Sequence, residues 1–137
     1  MAISGSTMEG LSLLTQRQIR STLVLASPRR PWGGDITDFE IVSSTKGFAI
    51  VTDANFANSL ITFNPSTGQR LTTIPGPLNV FIPQLALNSR NELYVAVRDL
   101  TMTTPGVRVF DTVSDRDLIP GPLNVGQLPP IWILFLE

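Results

Sequence analysis

A seven-residue string occurs twice, letter for letter: Ile74-Pro-Gly-Pro-Leu-Asn-Val80 returns 45 residues later as Ile119-Pro-Gly-Pro-Leu-Asn-Val125. Periods of roughly 20 to 50 residues mark repeat architectures, in which one supersecondary unit is copied and stacked. The flanks repeat as well. Phe48-Ala-Ile-Val-Thr-Asp53 aligns with Tyr94-Val-Ala-Val-Arg-Asp99 at an offset of 46, and Leu60-Ile-Thr-Phe-Asn64 aligns with Val107-Arg-Val-Phe-Asp111 at 47. Downstream, residues 82–87 align with 128–133, and residues 36–41 hold the same place one repeat earlier. The chain therefore divides into an incomplete unit at 1–35, full units at 36–81 and 82–127, and the beginning of another at 128–137.

Each full unit reads as a four-stranded meander. In the first, β-rich runs at 39–42, 48–52, 60–63 and 70–74 are separated by Ser43-Ser-Thr-Lys-Gly47, Asp53-Ala-Asn-Phe-Ala-Asn58 and Pro65-Ser-Thr-Gly68. In these breaks glycine supplies positive φ and Asn, Asp or Ser side chains close the turn. The second run is apolar at successive positions, Phe48, Ala49, Ile50 and Val51 in one unit and Leu93 through Val97 in the next, so burial on both faces is expected. The fold class is all-β, built of four-stranded antiparallel sheets of about 45 residues stacked as β-propeller blades, with roughly three blades in this chain.

The string Leu93-Tyr-Val-Ala-Val97, then Val107-Arg-Val-Phe-Asp111, then the Pro-Gly-Pro connection and Leu128-Pro129, resembles the blades of seven-bladed propellers with YVTN-type or NHL-like repeats. The resemblance covers about residues 36 to 137. It implies a propeller fold and an extracytoplasmic bacterial setting, periplasmic or secreted, and leaves function open, because blade motifs are shared by proteins of unrelated activity. The departure is length: such propellers carry six to eight blades in one chain.

Composition narrows the chemistry. There is no cysteine and no histidine, which removes disulfides, thiolate nucleophiles, imidazole bases and the usual zinc and haem ligands. A net charge of −1 offers no field to attract nucleic acid or an anionic membrane. No apolar run approaches the length of a membrane helix, and residues 1–10 lack both the basic region and the apolar core of a signal peptide. No cofactor is expected.

Residues 11–14 and 19–25 fit the third and fourth strands of the incomplete unit. A rival reading is an amphipathic helix begun by Ser6-x-x-Glu9; Gly10 and the β-branched Ile19, Thr22 and Val24 count against it. A three-blade arc cannot close on itself. The simplest completion is a homodimer that shares a composite blade, giving a six-bladed ring with two-fold symmetry; a protein partner or a longer parent chain are the others.

Five residues stand out as contact candidates: Arg29, Arg30, Trp32, Asp53 and Asp99. Arg29-Arg30-Pro31-Trp32-Gly33-Gly34 departs from the repeat at an inter-blade position and combines cations, an aromatic and glycines, the residue types of binding hot spots. A Trp packing on a neighbouring blade has the same sequence signature. Asp53 and Asp99 are equivalent and follow the second strand, where they face either a ligand or their own turn. Asn64 and Asp111 read as strand-to-turn junctions. A metal-assisted hydrolase would need several converging carboxylates or amides, and no metal-binding spacing ties Asp53 or Asp99 to Glu40, Asn55 or Glu92. No catalytic residue is assigned. The expected function is a non-catalytic binding or scaffold propeller; the alternatives are a lactonase-type propeller hydrolase and a carbohydrate-binding propeller lectin.

Overall fold

A computed structural model of the chain describes residues 31–76, 78, 84–97, 105–126, 130 and 133–136. Apart from one 3-10 turn at Pro31–Gly33, every regular element among them is a strand: β1 (Asp35–Ile41), β2 (Gly47–Thr52), β3 (Asn58–Phe63), β4 (Arg70–Ile74), β5 (Leu85–Leu87), β6 (Glu92–Val97), β7 (Gly106–Asp111), β8 (Arg116–Asp117) and β9 (Leu123–Asn124). The protein is all-β. β1 to β4 form one antiparallel meander in sequence order; β5 to β8 form a second, in which β9 also pairs with β7. The four strands expected in the first unit all form, each beginning no later than its apolar run.

Turn chemistry explains why the meander is regular. Each hairpin turn among the described residues is opened by a side-chain acceptor that takes two backbone N–H groups from its own turn. Ser43 Oγ accepts from Thr45 and Lys46, Asp53 Oδ1 from Asn55 and Ala57, and Asn64 Oδ1 from Ser66 and Thr67. Asn88 Oδ1 accepts from Arg90 and Glu92, and the Asp111 carboxylate from Val113 and Ser114. Donors that no strand can satisfy are thereby paired locally.

The core lies between the sheets. Phe48, Ile50, Leu60 and Ile74 of the first sheet form one buried cluster with Leu85, Leu93, Val95 and Phe110 of the second. Each such side chain contributes about 1.5–3 kcal/mol on burial. Ala49, Val51, Ile61 and Phe63 occupy the opposite face of the first sheet, where Trp32, Ile36, Phe39 and Ile41 pack on them. All five residues from Phe48 to Thr52 but the last are buried, so β2 is covered on both faces as its unbroken apolar run implies.

Repeat-equivalent residues face the same way. Phe110 points at the first sheet, whereas its equivalent Phe63 points away from the second. Phe48 points at the second sheet, and its equivalent Tyr94 turns from the shared core to meet Phe135 edge-on, with ring centroids 4.8 Å apart. The two meanders are thus stacked in the same sense, unlike the mirrored faces of a two-sheet sandwich.

The duplicated heptad does not take the same place in both sheets. Ile74 ends β4 opposite Leu60. In the second sheet the slot opposite Val107, the equivalent of Leu60, is filled by Leu123, because the outer strand breaks after Asp117 and rejoins as β9. The Pro-Gly-Pro connection of the second unit therefore does not run clear of the sheet: Leu123 and Asn124, directly after it, pair with β7. A buried arginine sets the two apart. Arg108, equivalent to Ile61, is 5% exposed and points into the inter-sheet space, where its guanidinium donates to Asp117 at 3.0 and 2.8 Å, donates to the Pro75 carbonyl at 3.0 Å and lies 4.4 Å over the Phe110 ring. Asp117 is thereby tied to Arg108, and the regular strand ends there, with one further bond from the Leu118 N–H to the Val109 carbonyl.

Gly76 roofs this cation: its φ is +117°, and a Cβ there would stand 2.5 Å from an Arg108 nitrogen. Gly121, the same residue of the second heptad, has φ +80° and open space around it. Both positions disfavour alanine by about 1–2 kcal/mol from backbone strain, but only Gly76→Ala also displaces the buried Arg108 guanidinium. In denaturant unfolding, Gly76→Ala should cost at least about 1 kcal/mol more than Gly121→Ala; equal losses would mean Arg108 does not occupy this site.

Candidate functional site

Of the sequence-designated residues, Arg29, Arg30 and Asp99 lie outside the described residues. Trp32 and Asp53 are described, and both are engaged by the protein's own structure. Trp32 sits at φ +64°, a left-handed conformation that a bulky side chain adopts at a cost. That turn lays its indole on Phe63, with ring centroids 5.1 Å apart, and lets Nε1 donate to the Gly68 carbonyl at 3.1 Å. Its own carbonyl accepts from Arg70 at 2.9 Å. Trp32 thus pins the entry segment across the outer face of the first sheet, from β3 to the edge strand β4.

Asp53 closes the β2–β3 turn. Its Oδ1 accepts from Asn55 at 2.8 Å and Ala57 at 2.9 Å, while its backbone N–H donates to the Ala57 carbonyl. Asn64 and Asp111 do the equivalent at the β3–β4 and β7–β8 turns. The Asp111 carboxyl is held below its ordinary range by the Ser114 hydroxyl and by the Ser114 and Val113 N–H groups, with Lys46 adding to the effect. Glu92 is likewise held low, first by the Asn88 amide, then by Arg90 and the Tyr94 hydroxyl, against the opposing effect of burial. Among the described residues no three Asp or Glu side chains converge as a metal site would require, and no helix is long and apolar enough to cross a membrane.

One chemically distinctive pair does form, at the seam between the sheets. Strand β1 reads Ile36-Thr-Asp-Phe-Glu-Ile41, and a strict alternation would put Ile36, Asp38 and Glu40 on one face. A β-bulge between Ile36 and Asp38 resolves the conflict. Ile36, Phe39 and Ile41 all reach the Trp32 side, and Asp38 and Glu40 fall opposite Ile50 and Phe48, on the face that packs toward the second sheet. Thr37, the inserted residue, turns its hydroxyl to the Ile50 carbonyl. Bulges of this kind re-aim side chains.

Asp38 bridges the sheets: Oδ2 accepts the Leu85 N–H at 2.7 Å, at the first residue of β5, and Oδ1 accepts the Phe39 N–H at 3.0 Å. Beside it, the Glu40 carboxyl is pushed up to about 7 by burial, and further by the neighbouring Asp38 charge. Glu40 was among the acidic residues visible in the sequence; the role of Asp38 was not, since nothing there marks the bulge that parts the pair from Ile36. Its signal was an acidic pair two residues apart, interleaved with the apolar Phe39 and Ile41.

A second bridge joins the turns at one rim. Lys46 Nζ lies 2.6 Å from Asp115 and donates to the Val113 carbonyl, tying the β1–β2 turn to the β7–β8 turn. Both bridges and the Arg108 contact to Pro75 hold sheet to sheet.

Comparison with family models, with curated proteins and with solved structures gives no match.

Because Asp53 serves its turn, Asp53→Ala should lower stability by about 1 kcal/mol through loss of two backbone partners, and Asp53→Asn, which keeps an acceptor oxygen, should lose less than half of that. Urea midpoints measure both. An Asp53→Ala protein as stable as the wild type would mean the carboxylate is held for another purpose.

Proposed function

We propose that this chain is a non-catalytic binding or scaffold module: a sector of a β-propeller, with YVTN-type or NHL-like blades, whose ring is completed by association. The observation that carries this reading is the like-facing stack. Two sheets packed in the same sense propagate as layers around an axis, and in both the second strand is buried on its two faces, which a two-layer sandwich would not require. At an offset of 46 to 47 residues per layer, 137 residues supply about three layers, half of a six-bladed ring. A second copy related by a two-fold axis is the simplest source of the rest.

The binding reading draws support from how the polar side chains are used. Asp53, Asn64, Asn88 and Asp111 spend their acceptors on their own turns, which makes the rims rigid. Rigid loops lose little entropy when a partner docks, and partner contact through such rims fits a scaffold better than a hydrolytic centre does.

The native mass of the purified chain across a dilution series tests this. A dimer that persists to low concentration is expected. A monodisperse monomer over the whole range would overturn the reading, because an isolated three-layer arc leaves its ring open.

A further inference from the structure

The far face of the second sheet is covered. Ala86, Ala96, Val107 and Val109, the equivalents of Glu40, Ile50, Leu60 and Thr62, are 7% exposed or less, although the first sheet lies against the opposite face. Something beyond the two meanders packs there, and among the described residues the C-terminal segment does so: the Phe135 ring meets Tyr94 on that face. Residues 133–136 alternate as a strand with one side inward, Ile133 and Phe135 half-buried, Leu134 and Leu136 exposed.

Gln84 holds in the second sheet the place that Asp38 holds in the first. Each is the third residue of its aligned segment, 36–41 or 82–87. The pairing agrees: Asp38 lies opposite Ile50, and the Gln84 carbonyl accepts from the N–H of Ala96, the equivalent of Ile50, at 3.2 Å. Asp38 spends its side chain on the N–H of Leu85, 47 residues further on and in the next layer. Gln84 Oε1 is buried, and no described residue donates to it. A buried amide oxygen is costly to leave unpaired. At the same distance of 47 residues beyond Gln84 stands Ile131, which aligns with Leu85 and, after Pro129-Pro130, carries the first backbone N–H of the terminal segment.

We propose that Gln84 repeats the Asp38 hook: its Oε1 accepts the Ile131 N–H, and residues 131–136 dock on the far face of the second sheet as the inner strand of a third layer. The inference rests on the layered reading and not on association between chains, since donor and acceptor belong to one chain. The hook and the Tyr94–Phe135 contact hold the same segment at two points, one polar and one aromatic. The series then stops. The third residue of the next aligned segment is Pro130, whose side chain has no acceptor, so the hook joins the layers of this chain and is not continued from its third.

Amide exchange on the intact chain tests the hook. The Ile131 N–H should be protected at least about ten-fold over an unstructured amide, at every protein concentration. Gln84→Met keeps the volume and removes the acceptor; in it that protection should fall about five-fold, the weight of one neutral hydrogen bond, while the Leu85 N–H held by Asp38 keeps its own. In the wild type, a coupling across the hydrogen bond from the Ile131 nitrogen to the Gln84 carboxamide carbon gives the same answer if the variant folds poorly. An Ile131 amide that exchanges freely, or one whose protection survives Gln84→Met undiminished, would overturn the hook. Protection that appears only as concentration rises would overturn it too, and would assign Gln84 to a second copy. The native mass is decided separately: a monomer with a protected Ile131 amide would remove the association and leave the hook standing.

Discussion

Burial between the two sheets is the constraint on which the rest of this structure depends. Neither meander can hide its apolar residues by itself: a four-stranded sheet has two faces, and here both are apolar. Phe48, Ile50, Leu60 and Ile74 are covered by Leu85, Leu93, Val95 and Phe110, with Val42, Leu78 and Leu87 packed at the margin. At roughly 25 cal/mol per Å² this association supplies the main favourable term, and the polar bridges at its borders fix register and direction. Arg108 reaches the Pro75 carbonyl, Asp38 takes the Leu85 amide, and Lys46 clasps Asp115. These three contacts sit at different edges of the same apolar interface, so a sliding of one sheet over the other would break all of them at once.

The polar bridges differ in what they ask of the sequence. Arg108 needs an aspartate on the adjacent strand, an aromatic beneath it and a residue without a side chain above it, and Asp117, Phe110 and Gly76 meet those needs. A buried cation with any of these missing would destabilise the interface rather than orient it. The Asp38 bridge asks for a bulge. Without the extra residue Thr37, the strand could not present Ile36 and Phe39 to one side and Asp38 and Glu40 to the other.

Much of the fold was legible in the sequence because strands here are announced twice, by apolar runs and by the acceptor that opens each turn. Residues 48–51 were readable as a doubly buried strand from the absence of any polar position, and the structure buries Phe48 through Val51 on both faces. Asn64 and Asp111 were readable as junction residues because they recur at one repeat position. The heptad was the misleading signal. Its copies stand 45 residues apart, whereas Ile74 and Leu123, which lie opposite the equivalent Leu60 and Val107, are 49 apart, so the second copy is displaced by four residues where the outer strand is broken. Sequence identity concealed a change of environment: Gly76 faces a guanidinium and Gly121 faces open space. The candidate site was legible only in part. Trp32 and Asp53 were singled out for their chemistry, and each is used for construction. Asp38 was not singled out because the bulge that sends Ile36 to the other face, and so parts it from the acidic pair, is not revealed by a period-two reading of six residues.

The claim that equivalent residues of the two sheets face the same way is the one on which the layered reading stands, and contacts between aromatic rings and methyl groups measure it directly. In nuclear Overhauser spectra of the chain, the Phe110 ring should show cross-peaks to methyl groups of the first sheet, among Ile50, Leu60 and Ile74, while the Phe63 ring should show them to the Trp32 indole. Cross-peaks between Phe63 and Phe110 themselves would mean that the sheets face each other as mirrored halves of a sandwich, and would contradict the stack.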